Sequence, residues 1–115
     1  MPKLNSRRKG AAYERDTSSF LKWWNWPARR SQQFCGIGVG DVVVEDDGWP
    51  LHIECKNTQR LNLDAAMDQA VRDCPSDLLP SVWHHRNHGE HFVTMRRADF
   101  MELLPRAVNP NSRAQ

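Results

Sequence analysis

A mixed α/β fold, with one central sheet flanked by helices, is what this sequence predicts. Two patterns lead there. Apolar residues recur at helical spacing in three stretches, and short β-branched or alternating runs lie between them. The order is helix, three strands, helix, two strands, helix. The third observation is size: 115 residues, 39% hydrophobic and 26% charged, suit one such core and no second domain.

Asn5 or Ser6 offers a cap for a first helix reaching about Trp24. Tyr13, Thr17, Phe20, Leu21 and Trp24 fall on one face of it, and Asn25-Trp26-Pro27 ends it. Ala28 to Phe34 reads as the first strand. Cys35-Gly-Ile-Gly-Val-Gly40 is a connector, because it lacks the helix and the basic residue that a phosphate loop needs. Asp41 to Asp46 reads as a strand centred on Val42, Val43 and Val44, and Asp47-Gly48 is a hairpin turn signal. Leu51 to Lys56 returns with clean alternation. Leu51, Ile53 and Cys55 point one way; His52, Glu54 and Lys56 point the other.

A second helix is expected from Asn62 to Asp73, with Leu63, Ala66, Met67, Ala70, Val71 and Cys74 as its apolar stripe and Pro75 helping to end it. Ser81 to His85 and His91 to Met95 form strands around an Asn87-His88-Gly89 turn. Ala98 to Leu104 closes the domain, with Phe100, Leu103 and Leu104 facing inward. The single domain thus spans residues 1–104, with a basic segment at 1–9. Residues 105–115 are polar and aperiodic and read as a disordered tail.

No apolar run approaches the roughly 20 residues of a membrane span. The first nine residues carry charge with no apolar stretch behind them, so they are no secretory signal. A cytoplasmic location is expected. Cys35, Cys55 and Cys74 are odd in number, widely spaced and without a CxxC pair, which fits buried thiols in a reducing compartment.

Net charge is only +2, but its distribution is uneven. Lys3, Arg7, Arg8, Lys9 and Arg15 crowd the first fifteen residues against Glu14 alone, whereas acids gather at Glu45–Asp47 and from Asp64 to Asp77. One phosphate-facing side accounts for this, and so does an unevenly charged solvated surface.

The hairpin fixes a geometry. A turn centred on Asp47-Gly48 pairs Val44 with Leu51, Val42 with Ile53 and Asp41 with Glu54. The last two are carboxylates, placed opposite each other roughly 5 Å apart on one sheet face. Lys56 shares that face. Like charges so placed destabilise a hairpin unless water or a cation separates them. A hard divalent cation, Mg²⁺ or Mn²⁺ in its place, takes one or two carboxylates together with water and phosphate oxygens. The backbone carbonyl of Cys55 offers a further ligand. Lys56 is then positioned to orient or deprotonate water, or to offset charge on a phosphate. Glu14, beside the apolar stripe of the first helix, is a third acid able to reach this face, or else an ordinary solvated residue.

Arg8-Lys-Gly-Ala-Ala-Tyr-Glu-Arg15, Gly40-Asp-Val-Val43, Ile53-Glu-Cys-Lys56 and Gln69 together resemble archaeal-type Holliday junction resolvases and their phage-encoded relatives, within the PD-(D/E)XK nuclease superfamily. The likeness covers about residues 7 to 104. It implies a restriction-endonuclease-like core, a metal-dependent endodeoxyribonuclease activity on branched DNA, and a homodimer in the cytoplasm of a bacterium or phage-infected cell. Glu14, Asp41 and Glu54 would be its acids, Lys56 its catalytic lysine and Gln69 a supporting glutamine. Arg15 and Arg29 or Arg30 would match its backbone-contacting positions, joined by Arg7, Arg8 and Lys9 of the basic segment. Gly40 departs from the proline in the motif's name.

Two clusters remain. Trp23, Trp24 and Trp26 suit core or a dimer surface better than base stacking. His84, His85, His88 and His91 match no structural zinc spacing and read as a polar hairpin. Another nuclease role (nicking, repair or restriction) and a catalytically silent DNA-binding module on the same fold are the competing functions; the intact acid–acid–lysine set argues against the silent module.

Overall fold

The computed structural model describes residues 2–31, 40–86 and 88–108, with side chains from residue 8 to residue 105 of those stretches. Helix α1 (Pro2–Trp23) opens the chain. It starts ahead of the expected cap, so Asn5 and Ser6 lie inside it. Pro2 suits a first turn, where its missing N–H is not needed and its φ is already helical. Asn25 ends the helix at a φ of 70°. There Asn25 N donates to Lys22 O at 2.9 Å and Trp26 N to Leu21 O at 2.9 Å, which closes a Schellman motif.

Five strands follow: β1 (Ala28–Arg30), β2 (Val42–Val44), β3 (Leu51–Asn57), β4 (Leu79–His85) and β5 (His91–Thr94). They lie in the sheet in chain order. β3 and β4 run parallel, joined through α2 (Leu63–Asp73), and every other pair is antiparallel. The predicted fold is therefore the observed one: a small mixed sheet with helices against it. α3 (Arg97–Val108) closes the chain.

Several boundaries move. The first strand stops at Arg30 instead of Phe34, and residues 32–39 of the expected strand and connector, Cys35 included, lie outside the described residues. β2 is confined to its three valines, because Asp41 and Asp46 use their side chains on neighbouring backbone. β4 starts two residues early. Pro80 masks that start, since proline argues against a ladder position, but here it falls next to the strand's first residue. β5 ends at Thr94, one residue short of expectation. α3 runs through Pro105 to Val108, so the expected tail begins as helix; proline's φ is compatible with a helix and removes only one donor.

α1 packs on one side of the sheet. Tyr13, Leu21, Ala28, Val42, Ile53 and Cys55 form the core there, with Trp26, Trp49 and Trp83 against it. The inward row of α1 is Tyr13, Thr17 and Leu21, at four-residue steps. Phe20 and Trp24 lie round the cylinder from it and stand exposed, contrary to the expected stripe. On the other side, Ala66 and Ala70 of α2 rest on Val82. Their small side chains let the helix sit close, and Asn62, expected as its first residue, is instead its cap, Oδ1 accepting from Ala65 N at 3.0 Å. Val71 turns to solvent, because the contact row passes through Ala66 and Ala70. Phe100 is likewise exposed. The inward row of α3 runs one residue earlier, through buried Asp99, which pairs with Arg96 at 2.8 Å.

Candidate active site

The β2–β3 hairpin holds the expected register, Val42 opposite Ile53. The turn is fixed by Asp46, whose Oδ1 accepts from Gly48 N at 2.7 Å while its carbonyl accepts from Trp49 N at 3.0 Å. Asp41 sits where the chain enters β2. Its N–H donates to Ile53 O at 2.9 Å, and its Oδ2 accepts from Cys55 N at 2.8 Å. The carboxylate thus occupies a place in the ladder that a carbonyl would normally fill. Gly40 permits this approach: a Cβ there would lie 2.5 Å from Ile53 O.

Glu54 is buried beside it, at 3% exposure. Its Oε1 lies 2.9 Å from Nε2 of His52, which is equally buried. With its proton on Nε2 the imidazole donates to the carboxylate. Lys56, two residues on, donates from Nζ to Gln69 Oε1 at 2.9 Å. Glu14 reaches the same neighbourhood from α1, and its Oε1 accepts from Arg30 Nε at 3.0 Å.

Burial, and next the charge of Glu54, push the Asp41 carboxyl up to about 7; the Cys55 N–H pulls it back and Glu14 adds to the rise. Two acids are therefore held together against their own repulsion. Asp41 Oδ2, Glu54 Oε1 and Glu14 Oε1 are each committed to a protein donor. Asp41 and Glu54 also meet each other through their side chains, a contact that a shared proton or a cation would relieve. Among the described residues no three carboxylate, imidazole or thiol groups gather closely enough to enclose an ion. The donor chemistry itself is the fit: Mg²⁺ takes one or two carboxylates from a protein and keeps water and phosphate oxygens for the rest of its shell, and Asp41 and Glu54 are two such carboxylates.

The structure brings Glu14, Asp41, Glu54, Lys56 and Gln69 into one neighbourhood. The proposed DNA contacts are more scattered. Arg29 is paired with Glu45 and Arg30 with Glu14, while Arg8, Lys9 and Arg15 are exposed on α1. The side chain of Arg7 lies outside the described residues. The histidine hairpin forms as expected: His85 and His91 stack at 4.3 Å, and His84 meets Thr94 Oγ1 at 2.8 Å. Trp26 joins the core, whereas Trp23 and Trp24 stay exposed. Cys55 is buried and Cys74 half-buried, both free. Burial pushes both thiols up, Cys74 to about 11.

Sequence reasoning missed His52. Alternation already placed it on the face of Glu54, and a histidine two residues before a buried acid was the available signal. The Glu14–Arg30 pair had none, since sixteen residues separate its members.

Residues 5–114 match the model of a family described as "Phage putative PDDEXK endonuclease". The chain belongs to this family. The match covers nearly its whole length, and the small mixed sheet with helices is consistent with this phage PD-(D/E)XK family. No curated protein and no solved structure matches the chain. Among the described residues no helix is long and apolar enough to cross a membrane.

Proposed function

We propose that this PD-(D/E)XK family member is a metal-dependent endodeoxyribonuclease that cuts branched DNA, as a Holliday junction resolvase does. The observation that carries the reading is the buried pair Asp41 and Glu54, with Lys56 on the same strand held by Gln69. Asp41 and Glu54 would hold Mg²⁺, or Mn²⁺, with the Cys55 carbonyl as a further ligand; Glu14, paired with Arg30, would act on the site through its charge. The bound cation supplies a Lewis acid for the phosphate and lowers the pKa of water. Lys56, as an ammonium, brings a positive charge to the phosphate as negative charge builds there, or, as the neutral amine, takes a proton from the attacking water. Gln69 keeps Nζ pointed at that spot. His52 keeps Glu54 in one rotamer.

Two symmetric cuts across a junction require two centres, and a homodimer supplies them. Phe20, Trp23 and Trp24, exposed at the C-terminal end of α1, support a surface for the second copy. A mass of two chains by light scattering at micromolar concentration is expected, and a single-chain mass with and without DNA would overturn the dimer.

The deciding experiment compares cleavage of a four-way junction, linear duplex, flapped duplex and single strands in Mg²⁺. Preferred, paired cutting of the junction is expected. Equal cutting of linear duplex would move the role to nicking, repair or restriction, and no cutting of any of the four would sink the nuclease reading.

A further inference from the structure

One strand over from Lys56, on the same face of the sheet, lies a groove that the reading above does not use. His84 is the parallel-register neighbour of Lys56 across β3 and β4, and adjacent strands lie about 4.8 Å apart. From there a groove of about 850 Å³ opens between the β3–α2 connection and the β4–β5 hairpin. Arg60 enters it from the first and Arg86 from the second. Phe92 stands opposite His84 in the ladder, their rings stacked at 5.8 Å, and is 58% exposed.

Arg29, Arg30 and Arg96 are each tied to a carboxylate, whereas Arg8, Arg15, Arg72 and Arg97 stand apart from one another on helices. Among the described residues Arg60 and Arg86 have no such partner. Glu90 is the one carboxylate lining the groove, outnumbered by the two guanidiniums. Burial lowers the pKa of His84, so it serves as a neutral ring behind Phe92.

We infer that this groove takes an unpaired strand of DNA beside the scissile phosphate, with phosphates on Arg60 and Arg86 and a base stacked on Phe92. The inference rests on the nuclease reading of Asp41, Glu54 and Lys56 and names the part of the substrate that reading leaves open. Guanidinium forks fit phosphate oxygens. A cationic groove with an exposed ring is the arrangement that holds single strands, because every base has a face to stack. A base inside a duplex has both faces covered by its neighbours, so it reaches Phe92 only where the strand is unpaired. The groove therefore favours a flap or branch over intact duplex.

The test uses the full chain carrying Glu54→Gln, in Mg²⁺, with a fluorescein-labelled duplex bearing a single-stranded flap and the same duplex without it. Arg60→Ala with Arg86→Ala should weaken flap binding and flatten its log–log salt dependence by about 1.4 units. Arg72→Ala with Arg97→Ala removes equal charge elsewhere and should leave the slope unchanged. Phe92→Ala should weaken flap binding roughly 10-fold and duplex binding little. A wild-type slope in the groove variant, an equal loss in the control, or equal weakening of both DNAs by Phe92→Ala would overturn the inference. If the unsubstituted chain cuts DNA in Mg²⁺ and the groove variants bind like their parent, the groove fails alone. If the unsubstituted chain cuts nothing, the nuclease reading fails with it.

Discussion

Alternate residues of β3 do opposite work. Ile53 and Cys55 face α1 among Tyr13, Leu21 and Val42, while His52, Glu54 and Lys56 occupy the other face. Ile53 is 1% exposed and Glu54 is 3% exposed, so burial does not separate them. Removing the Ile53 side chain from water stabilises the fold by about 2–3 kcal/mol. Burying Glu54 opposes folding, and its contact with His52 offsets only part of that. One strand thus spends stability on one face that it gains on the other, and the two faces should fail differently when altered.

The largest effect is expected from the polar face. Asp41→Asn or Glu54→Gln should lower single-turnover cleavage by at least about 10³-fold while DNA affinity stays near the parent value. Undiminished nicking by either variant at saturating Mg²⁺ would place the chemistry elsewhere. Ile53→Ala should do the reverse. It should lose about 2–4 kcal/mol in a urea melt, with the rate per folded molecule little changed.

His52→Ala lies between the faces. Freed from the imidazole, Glu54 should need about 10- to 100-fold more Mg²⁺ for half-maximal cleavage, with the plateau rate largely recovered. His52→Gln keeps a donor and should restore most of the loss. An unchanged Mg²⁺ requirement in the alanine variant would reduce His52 to packing.

A smaller effect follows from Asp41. Its carboxyl titrates near 7 in the folded chain against 3.8 ordinarily. Between those values the folded state holds a proton that the unfolded state has released. The contribution of this carboxyl to stability without metal is therefore fully present below about pH 4 and is lost as pH rises through 7. Asp41→Asn should remove much of that slope and stabilise the metal-free protein at pH 8 by about 1–3 kcal/mol. Thermal melts across pH in chelator check this, and a slope identical in parent and variant would contradict it. The smallest effect belongs to the basic segment. Replacing Arg7, Arg8 and Lys9 with Ala should flatten the salt dependence of binding by about one unit per lost phosphate contact, with cleavage of bound complex unaffected.

Much of this was legible in the sequence because local rules govern it. A two-residue turn signal and strict alternation placed Asp41, Glu54 and Lys56 on neighbouring strands, and the observed pairing of Val42 with Ile53 agrees. The apolar stripe of α2 gave its extent to within a residue. What escaped depends on contacts between distant residues. The row that α1 turns inward was set by the sheet it meets, so Phe20 and Trp24 could not be separated from Tyr13 and Leu21 by spacing alone. Gln69 was visible only through family likeness, since the geometry that brings it to Lys56 comes from two alanines letting α2 approach. Arg30 looked free because nothing local reveals that Glu14 lies against it.

Gly40 has a consequence for how such chains are found. The backbone passes so close to β3 that even a methyl group at this position meets a carbonyl oxygen at 2.5 Å, and that oxygen belongs to backbone that cannot swing aside. A proline carries a Cβ as well. The first letter of the superfamily's own name is thus excluded by the shape of this hairpin, and grafting it back would force the strands apart at the aspartate that follows. A search keyed to that letter would pass over the chain, while one keyed to an aspartate after a very small residue, with a buried acid on the opposing strand, would retrieve it.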